Sequence, residues 1–115
     1  MNSKETRLKK RKQFNYLFKS GKYSTSEYFN LIYLKVKTKN YKIGYSISKK
    51  VGKAVVRNKI KRRLKECVLK ISPIIKKEFY IIISAKPSIV NLKFDELSLK
   101  VKEMFIKCGL LNDNT

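Results

Sequence analysis

The residues with the clearest chemical meaning form one run, residues 46–66, which reads SISKKVGKAVVRNKIKRRLKE. Nine of the chain's 29 Lys and Arg residues lie in this run, and its single acid is the last residue. Its second half contains helix formers and no proline, and apolar residues recur every four positions at Val56, Ile60, Leu64 and Val68. This spacing predicts an amphipathic helix with one packed face and one cationic face.

The cationic face of this helix is suited to a polyanion. Helical geometry places five residues on the solvated arc, namely Asn58, Lys59, Lys61, Arg62 and Lys65. A helix that only faces water usually mixes charge signs, because like charges four positions apart destabilise it. Here Arg57, Lys61 and Lys65 follow one another at that spacing with no acid among them. The pattern therefore favours a nucleic-acid face over an ordinary solvated face.

The residues before the helix extend the same surface. Lys49, Lys50 and Lys53 surround Gly52, which has no side chain and lets the backbone approach a ligand closely. The helix begins directly afterwards, and the free N–H groups and positive dipole end of a helix N-terminus favour a phosphate. We therefore expect this approach to bind a nucleic acid together with the helix.

The overall charge of +21 and the pI of 10.1 also indicate a polyanionic partner. Residues 1–65 contain 21 basic and 2 acidic residues, whereas residues 66–115 contain 8 and 6. The first half therefore forms the electrostatic footprint and the second mainly completes the fold. Residues 1–12 read as a basic flexible arm at the start of a single RNA-binding domain, residues 1–115.

Several kinds of chemistry are excluded by composition. The chain has no His, its eight acids are scattered, and it has no Gly-rich phosphate loop of known form. Cys67 and Cys108 are too far apart in sequence for a zinc finger or a redox pair, and both are expected to be buried thiols. We therefore predict no catalytic residue and no metal site in the protein.

No membrane role is predicted either. The longest aliphatic run, Ile81 to Ile83, is far shorter than a membrane span, and the N-terminus lacks the apolar core of a signal peptide. A cytoplasmic protein is expected.

The remaining periodicities predict an α+β fold with one sheet packed against helices. Residues 13–20 form a short helix with Gly21 as its C-terminal stop, and residues 94–107 form a last helix that Gly109 ends. Strands are expected at residues 27–37, at 42–48 after a tight turn at residues 39–40, and at 79–85.

Two questions stay open at this level. Phe14 and Phe18 share one face of the first helix, where each is either a core residue or a stacking surface for an unpaired base. Pattern favours the core for Phe18 and is even for Phe14. In the strand at residues 42–48, Gly44, Ser46 and Ser48 share one face, which is equally well a groove or an ordinary solvent face.

Residues 49–62, KKVGKAVVRNKIKR, closely resemble the signature of the protein subunit family of bacterial ribonuclease P. The resemblance extends to residues 8–14, LKKRKQF, to residues 18–22, FKSGK, and to the strand end at residues 81–87. It covers most of the chain in the family's order. The long signature is specific, and the flanking stretches support it.

The resemblance implies a small αβββαβα two-layer sandwich with a mostly antiparallel sheet. It also implies a left-handed β-α-β crossover, whereas general rules predict a right-handed one. The implied function is to bind the catalytic RNA and the 5′ leader of precursor tRNA, while the RNA and its Mg²⁺ ions hydrolyse the leader. No cofactor on the protein and no protein partner are implied. A ribosomal-type rRNA-binding protein without catalytic activity is the alternative.

The resemblance also assigns residues to two surfaces. The leader cleft would contain Phe14, Phe18, Ser48, Lys50 and Lys86. The basic helix and its approach would bind RNA through Lys49, Lys53, Arg57, Asn58, Lys59, Lys61, Arg62 and Lys65. Lys59 stands where the family has Arg, which removes a planar bidentate fork. A family tyrosine of the cleft aligns with Ile32, beside Tyr33, and the sequence leaves open which of the two faces the cleft.

Overall fold

A computed structural model describes residues 6–112 as three helices and a four-stranded sheet. The helices are α1 (Arg11–Ser20), α2 (Ala54–Ile71) and α3 (Phe94–Lys107). The strands are β1 (Lys22–Thr25), β2 (Phe29–Lys35), β3 (Lys42–Ser46) and β4 (Phe79–Ala85). The α+β order of the elements is the predicted αβββαβα. No helix of the described chain is long and apolar enough to cross a membrane.

The sheet has the order β1-β2-β4-β3, with β1-β2 and β2-β4 antiparallel and β3-β4 parallel. The central strand β4 is apolar on both faces, because Ile81, Ile82 and Ile83 are all fully buried. The expected tight turn after β2 does not form a hairpin, since β4 lies between β2 and β3. The parallel pair β3-β4 is joined through α2, and the handedness of this crossover stays a prediction.

The two faces of the sheet are covered unequally. One face packs against α2 and α3 in a core cluster that includes Leu31, Ile81, Leu64 and Phe105. The other face packs against α1 in a small cluster whose buried members are Leu8, Leu17, Ile32 and Ile82. Paired residues of neighbouring strands share a face, so this division follows from the strand register.

The ends of α1 and α3 have different causes. Helix α3 ends in a Schellman motif, because Gly109 has φ of +71° and the Leu110 N–H donates to the Phe105 carbonyl at 3.0 Å. Gly21 also ends α1 as predicted, but its conformation is extended. A Cβ at Gly21 would lie 2.7 Å from the Leu17 carbonyl oxygen and 2.8 Å from Ile32. Gly21 is therefore required for space and not for a left-handed conformation.

The predicted basic arm at residues 1–12 divides into two parts. Residues 1–5 lie outside the described structure. From Thr6 the chain packs on the domain, since Leu8 is 3% exposed and its N–H donates to the Ile43 carbonyl at 3.0 Å. Arg7 also forms a parallel bridge with Ile43. This segment therefore runs along the outer edge of β3 before α1 begins.

Candidate nucleic-acid interface

The charged side of α2 faces solvent, as its spacing predicted. Ile60 and Leu64 are buried in the core. The exposed residues of the helix and its approach include Lys49, Lys50, Lys53, Asn58, Lys59, Lys61 and Arg62. Arg57 and Lys65 are half-buried at the sides of this face. The cations predicted for the basic helix and its approach therefore lie along one helix and the turn that precedes it.

Gly52 gives α2 a sharp beginning. Its φ is +156°, which residues with a side chain rarely adopt, and a Cβ there would lie 3.0 Å from Val56. Its carbonyl accepts a hydrogen bond from the Arg57 Nε at 3.1 Å. The structure thus shows a conformational role for Gly52 and for the Arg57 guanidinium, while close approach of a ligand stays a prediction.

The cations at the side of α2 lie close enough to affect one another's protonation. Burial lowers the pKa of Lys65, and the charges of Lys61 and Arg7 lower it further. The first turn of α2 contains no acidic residue. Burial and the two neighbouring positive charges both disfavour the charged form of Lys65, and a bound anion would oppose the effect of these charges. This electrostatic arrangement is suited to a phosphate backbone.

A row of polar residues crosses the sheet beside α1. The register pairs Ser46 with Ser84, Ser84 with Asn30, and Asn30 with Thr25, so these four share one face. In the neighbouring row on the same face, two residues away along each strand, Gly44, Ile82 and Ile32 pack under α1. The polar row therefore lies alongside the helix and not beneath it. The Asn30 Oδ1 is buried and has no hydrogen-bond partner within the described structure.

Helix α1 forms an aromatic wall beside this row. Phe14 is half-buried and lies over Gly44, where a Cβ would come within van der Waals overlap of its ring. Phe18, one turn later, is 36% exposed. The Tyr23 hydroxyl donates to the Phe18 carbonyl at 2.7 Å, and the Tyr23 side chain is 51% exposed. Phe14 thus has a packed position, which settles a question that the pattern left even. Phe18 is the more exposed ring, so the preference for a core position of Phe18 was wrong.

Ser48 and Lys86 lie at the far end of the same sheet face. Each lies within two residues of the end of one of the parallel strands β3 and β4, whose register pairs Ser46 with Ser84. The Lys86 Nζ is half-buried and donates to the Ser26 carbonyl at 2.6 Å, so this lysine ties the end of β4 to the β1-β2 turn. Part of its hydrogen-bonding capacity is therefore used inside the fold.

The register answers the question about Ile32 and Tyr33. Ile32 faces α1 but is fully buried in the small cluster. Tyr33 points to the opposite face, where its ring centroid lies 6.3 Å from that of Phe79. Burial raises the pKa of Tyr33, and Cys108 raises it further. Neither residue therefore provides an exposed aromatic surface in the groove.

Four residues of the groove were missed in the sequence, namely Tyr23, Thr25, Asn30 and Ser84. Tyr23 lies on a strand, β1, that the pattern did not predict, and its ring supplies an exposed aromatic on the α1 face. Asn30 and Ser84 occur inside strands whose neighbours are apolar. A polar residue within such a strand is a usable signal, but only the register shows that the two lie side by side.

Comparisons with known proteins agree with this geometry. The family model described as Ribonuclease P matches residues 2–109. The chain is 44% identical over 107 residues to the ribonuclease P protein component of Dictyoglomus turgidum, covering 90% of this chain and 86% of that protein.

Solved structures give the same result. The Staphylococcus aureus RNase P protein is similar with a TM-score of 0.87 and 26% identity, covering 95% of this chain and 100% of that one. The Thermotoga maritima RNase P protein is similar with a TM-score of 0.81 and 28% identity, covering 88% and 96%. The chain therefore belongs to the Ribonuclease P family, as a protein subunit of the endoribonuclease that processes tRNA.

Proposed function

We propose that this subunit binds two RNAs at once and that the chemistry is done by one of them. The cationic face of α2 binds the catalytic RNA, and the groove beside α1 binds the 5′ leader of precursor tRNA. The RNA and the Mg²⁺ ions that it holds hydrolyse the leader, and the protein supplies no catalytic residue or cofactor. The observation that carries this proposal is that one small domain presents two distinct surfaces, a cationic face on α2 and an aromatic-walled polar groove beside α1.

The composition of the groove fits a single strand. Phe18 and Tyr23 offer exposed rings on which bases stack, and stacking is worth about 1–3 kcal/mol per base with little sequence preference. Ser46, Ser84 and Asn30 offer hydroxyl and amide groups to the sugar-phosphate backbone. Lys50 lies exposed beyond β3, where it can pair with a phosphate. Single-stranded RNA held in this way is selected by its shape and charge and not by its base sequence.

This arrangement discriminates precursor from product. Mature tRNA has no leader, so it loses every contact in the groove while the catalytic RNA keeps its contacts on α2. If the combined surface neutralises roughly 6–10 phosphates, affinity for RNA falls about 10³–10⁵-fold between ~50 and ~200 mM salt. The cations of α2 also screen repulsion between the two RNAs, which lowers the Mg²⁺ concentration needed for cleavage.

The experiment is a cleavage assay. Precursor tRNA labelled at its 5′ end is incubated with a bacterial ribonuclease P RNA at low Mg²⁺, with and without the protein. We expect cleavage at the 5′ junction to be stimulated by the protein and absent with protein alone. Coincident Mg²⁺ titrations with and without protein would contradict the proposal, as would cleavage by the purified protein free of RNA.

Two variants separate the surfaces. Lys61→Ala removes an exposed cation of α2, so binding to the catalytic RNA should weaken and its salt slope should fall by about 1. Phe18→Ala should leave that binding unchanged and reduce the advantage of leader-bearing over leaderless tRNA. Equal effects of both variants on both RNAs would show that the surfaces are not distinct.

We place the particle in the cytoplasm, with RNA molecules as its only partners. The rRNA-binding alternative is not favoured, because the family match covers nearly the whole chain. Tight binding to rRNA, without any stimulation of tRNA 5′ cleavage, would support that alternative instead.

A further inference from the structure

We propose that a phosphate-binding pocket on the outer edge of β3 extends the catalytic-RNA interface from α2 to the start of α1. The proposal rests on the proposed function for the identity of the RNA. What it adds is the location of this pocket and the path of the RNA backbone across the protein. The described lining of this pocket is Arg7, Lys9, Lys10, Gln13 and Lys42.

The pocket has a fixed frame. The N-terminal segment is held on β3 by the Leu8 N–H donating to the Ile43 carbonyl and by the bridge from Arg7 to Ile43. Leu8 is buried in the small core cluster, so the two lysines that follow it are carried on an anchored backbone. The Gln13 side chain accepts a hydrogen bond from the Lys10 N–H at 3.3 Å. The cations therefore come from a strand edge and a helix start that pack together.

The pocket has the size and charge for a phosphate. Its volume is about 210 Å³, and four of its five described lining residues are Lys or Arg. The Lys42 Nζ lies 6.0 Å from the centroid of the Tyr80 ring, which directs this ammonium along the sheet surface. No acid is among the described lining residues. Several cations held around one concave site are unfavourable unless an anion occupies it.

Arg7 connects this pocket to α2. Its charge contributes, with that of Lys61, to the environment of Lys65 on α2. Arg7 also lines the pocket with Lys9 and Lys10. The Arg7 guanidinium therefore lies within electrostatic range of the cationic face of α2, on the side of the domain where β3 has its free edge. An RNA backbone lying on α2 meets this pocket next.

The pocket is separate from the leader groove. Gln13 and Phe14 are neighbours on α1, and helical geometry turns their side chains about 100° apart. Phe14 lies over Gly44, whereas Gln13 lines the pocket with Lys42, at the opposite end of β3 from Ser46. The partner that fits is therefore the backbone of the RNA on α2, and not the leader.

The test compares two triple variants with the same loss of charge. Lys9→Gln/Lys10→Gln/Lys42→Gln removes the pocket lysines. Lys77→Gln/Lys100→Gln/Lys102→Gln removes three exposed lysines elsewhere. Affinity for a bacterial ribonuclease P RNA is measured over a salt series, together with the thermal unfolding of each variant. We expect the pocket variant to bind on the order of 10- to 100-fold more weakly at ~0.1 M salt, with a salt slope lower by about 2–3.

Equal affinities of the two folded triple variants would overturn the proposal. A second readout is the advantage of leader-bearing over leaderless precursor, which we expect the pocket variant to retain. Loss of this advantage would assign the pocket to the leader and overturn the path proposed here.

If the wild-type protein fails to bind the catalytic RNA, the proposed function fails and the pocket is judged with inorganic pyrophosphate. Amide NMR shifts at Lys9, Lys10 and Gln13 that are absent from the pocket variant would support the site. No shifts at these amides would overturn it.

Discussion

The two faces of the sheet have different roles in stability and in binding. The face under α2 and α3 carries a cluster of 21 buried residues, whereas the face under α1 carries four. Helix α1 has 10 residues and crosses the sheet at one level, so it covers Gly44, Ile82 and Ile32 and leaves the polar row beside it uncovered. The fully covered face provides stability. The half-covered face provides a groove.

This comparison predicts opposite effects for two aromatic residues. Phe105 is fully buried in the large cluster, so Phe105→Ala should cost about 3–5 kcal/mol of unfolding free energy. Phe14 is half-buried, so Phe14→Ala should cost clearly less. We expect the reverse order for leader-dependent tRNA affinity measured on the folded variants. Denaturant unfolding of both variants checks the first part, and equal losses of stability would contradict the division between faces.

A second prediction concerns the contact between Phe14 and Gly44 on the face under α1. In Gly44→Ala the new Cβ overlaps the Phe14 ring, so the ring must move and stability should fall by about 1–3 kcal/mol. The Phe14→Leu/Gly44→Ala double variant should recover part of this loss, because the two positions are in contact. Additive losses would show that the overlap is not the cause.

Gly109→Ala is the matched control. Its Cβ would meet nothing within 4 Å, so only the left-handed backbone opposes it. We expect a loss of about 1 kcal/mol that no substitution at Phe14 relieves.

A third prediction concerns the outer edge of the groove. Tyr23→Phe removes the hydroxyl that donates to the Phe18 carbonyl but keeps the ring, so stability should fall by about 0.5–1.5 kcal/mol. Leader affinity should change little if stacking is the main contact, whereas Tyr23→Ala should reduce it. A large loss of leader affinity in Tyr23→Phe would show that the Tyr23 hydroxyl is needed to position the aromatic residues of α1.

The smallest effect at neutral pH comes from a thiol in the fully covered face. Burial raises the pKa of Cys67 from 9.0 to about 11, with smaller opposing contributions from Ser98 and Lys70. The folded protein therefore holds this proton more tightly than the unfolded chain does. Its contribution to stability is complete below pH ~9 and is lost as the pH rises toward about 11.

Thiol labelling checks the same difference. Cys67 is 2% exposed, as expected, whereas Cys108 is only half-buried, so the expectation of a buried thiol was wrong for Cys108. Cys108 should therefore react with a thiol reagent while Cys67 is protected until unfolding. In unfolding measured against pH, Cys67→Ala should show a shallower loss above pH ~9 than Cys108→Ala. Equal reaction rates of the two thiols would contradict the burial of Cys67.

Much of the local structure of this protein could be predicted from the sequence. The bounds of β4 and α3 matched their predicted ranges, because an apolar run and a helical stripe with a glycine stop are local signals. The solvent exposure of the cationic side of α2 could be predicted as well, because the apolar stripe that contains Ile60 and Leu64 is buried and the opposite side must face water. The signature at residues 49–62 identified the family for the same reason, since it is one continuous segment.

The spatial relations between separate segments of the chain could be found only from the tertiary structure. The short strand β1 has little pattern of its own and exists because β2 pairs with it. The order β1-β2-β4-β3 places Ser46, Ser84 and Asn30 in one row, although 54 positions separate Asn30 from Ser84.

The sequence by itself therefore determined the charge, the helix that carries it and the family. Periodicity decides which face of an element is buried, because that choice depends only on neighbours along the chain. Tertiary structure alone decided that Ile32 is buried, that Lys86 is tied to Ser26, and that the charge of Arg7 acts on Lys65 of α2. These relations depend on the distance between side chains far apart in sequence, which only the packed chain defines.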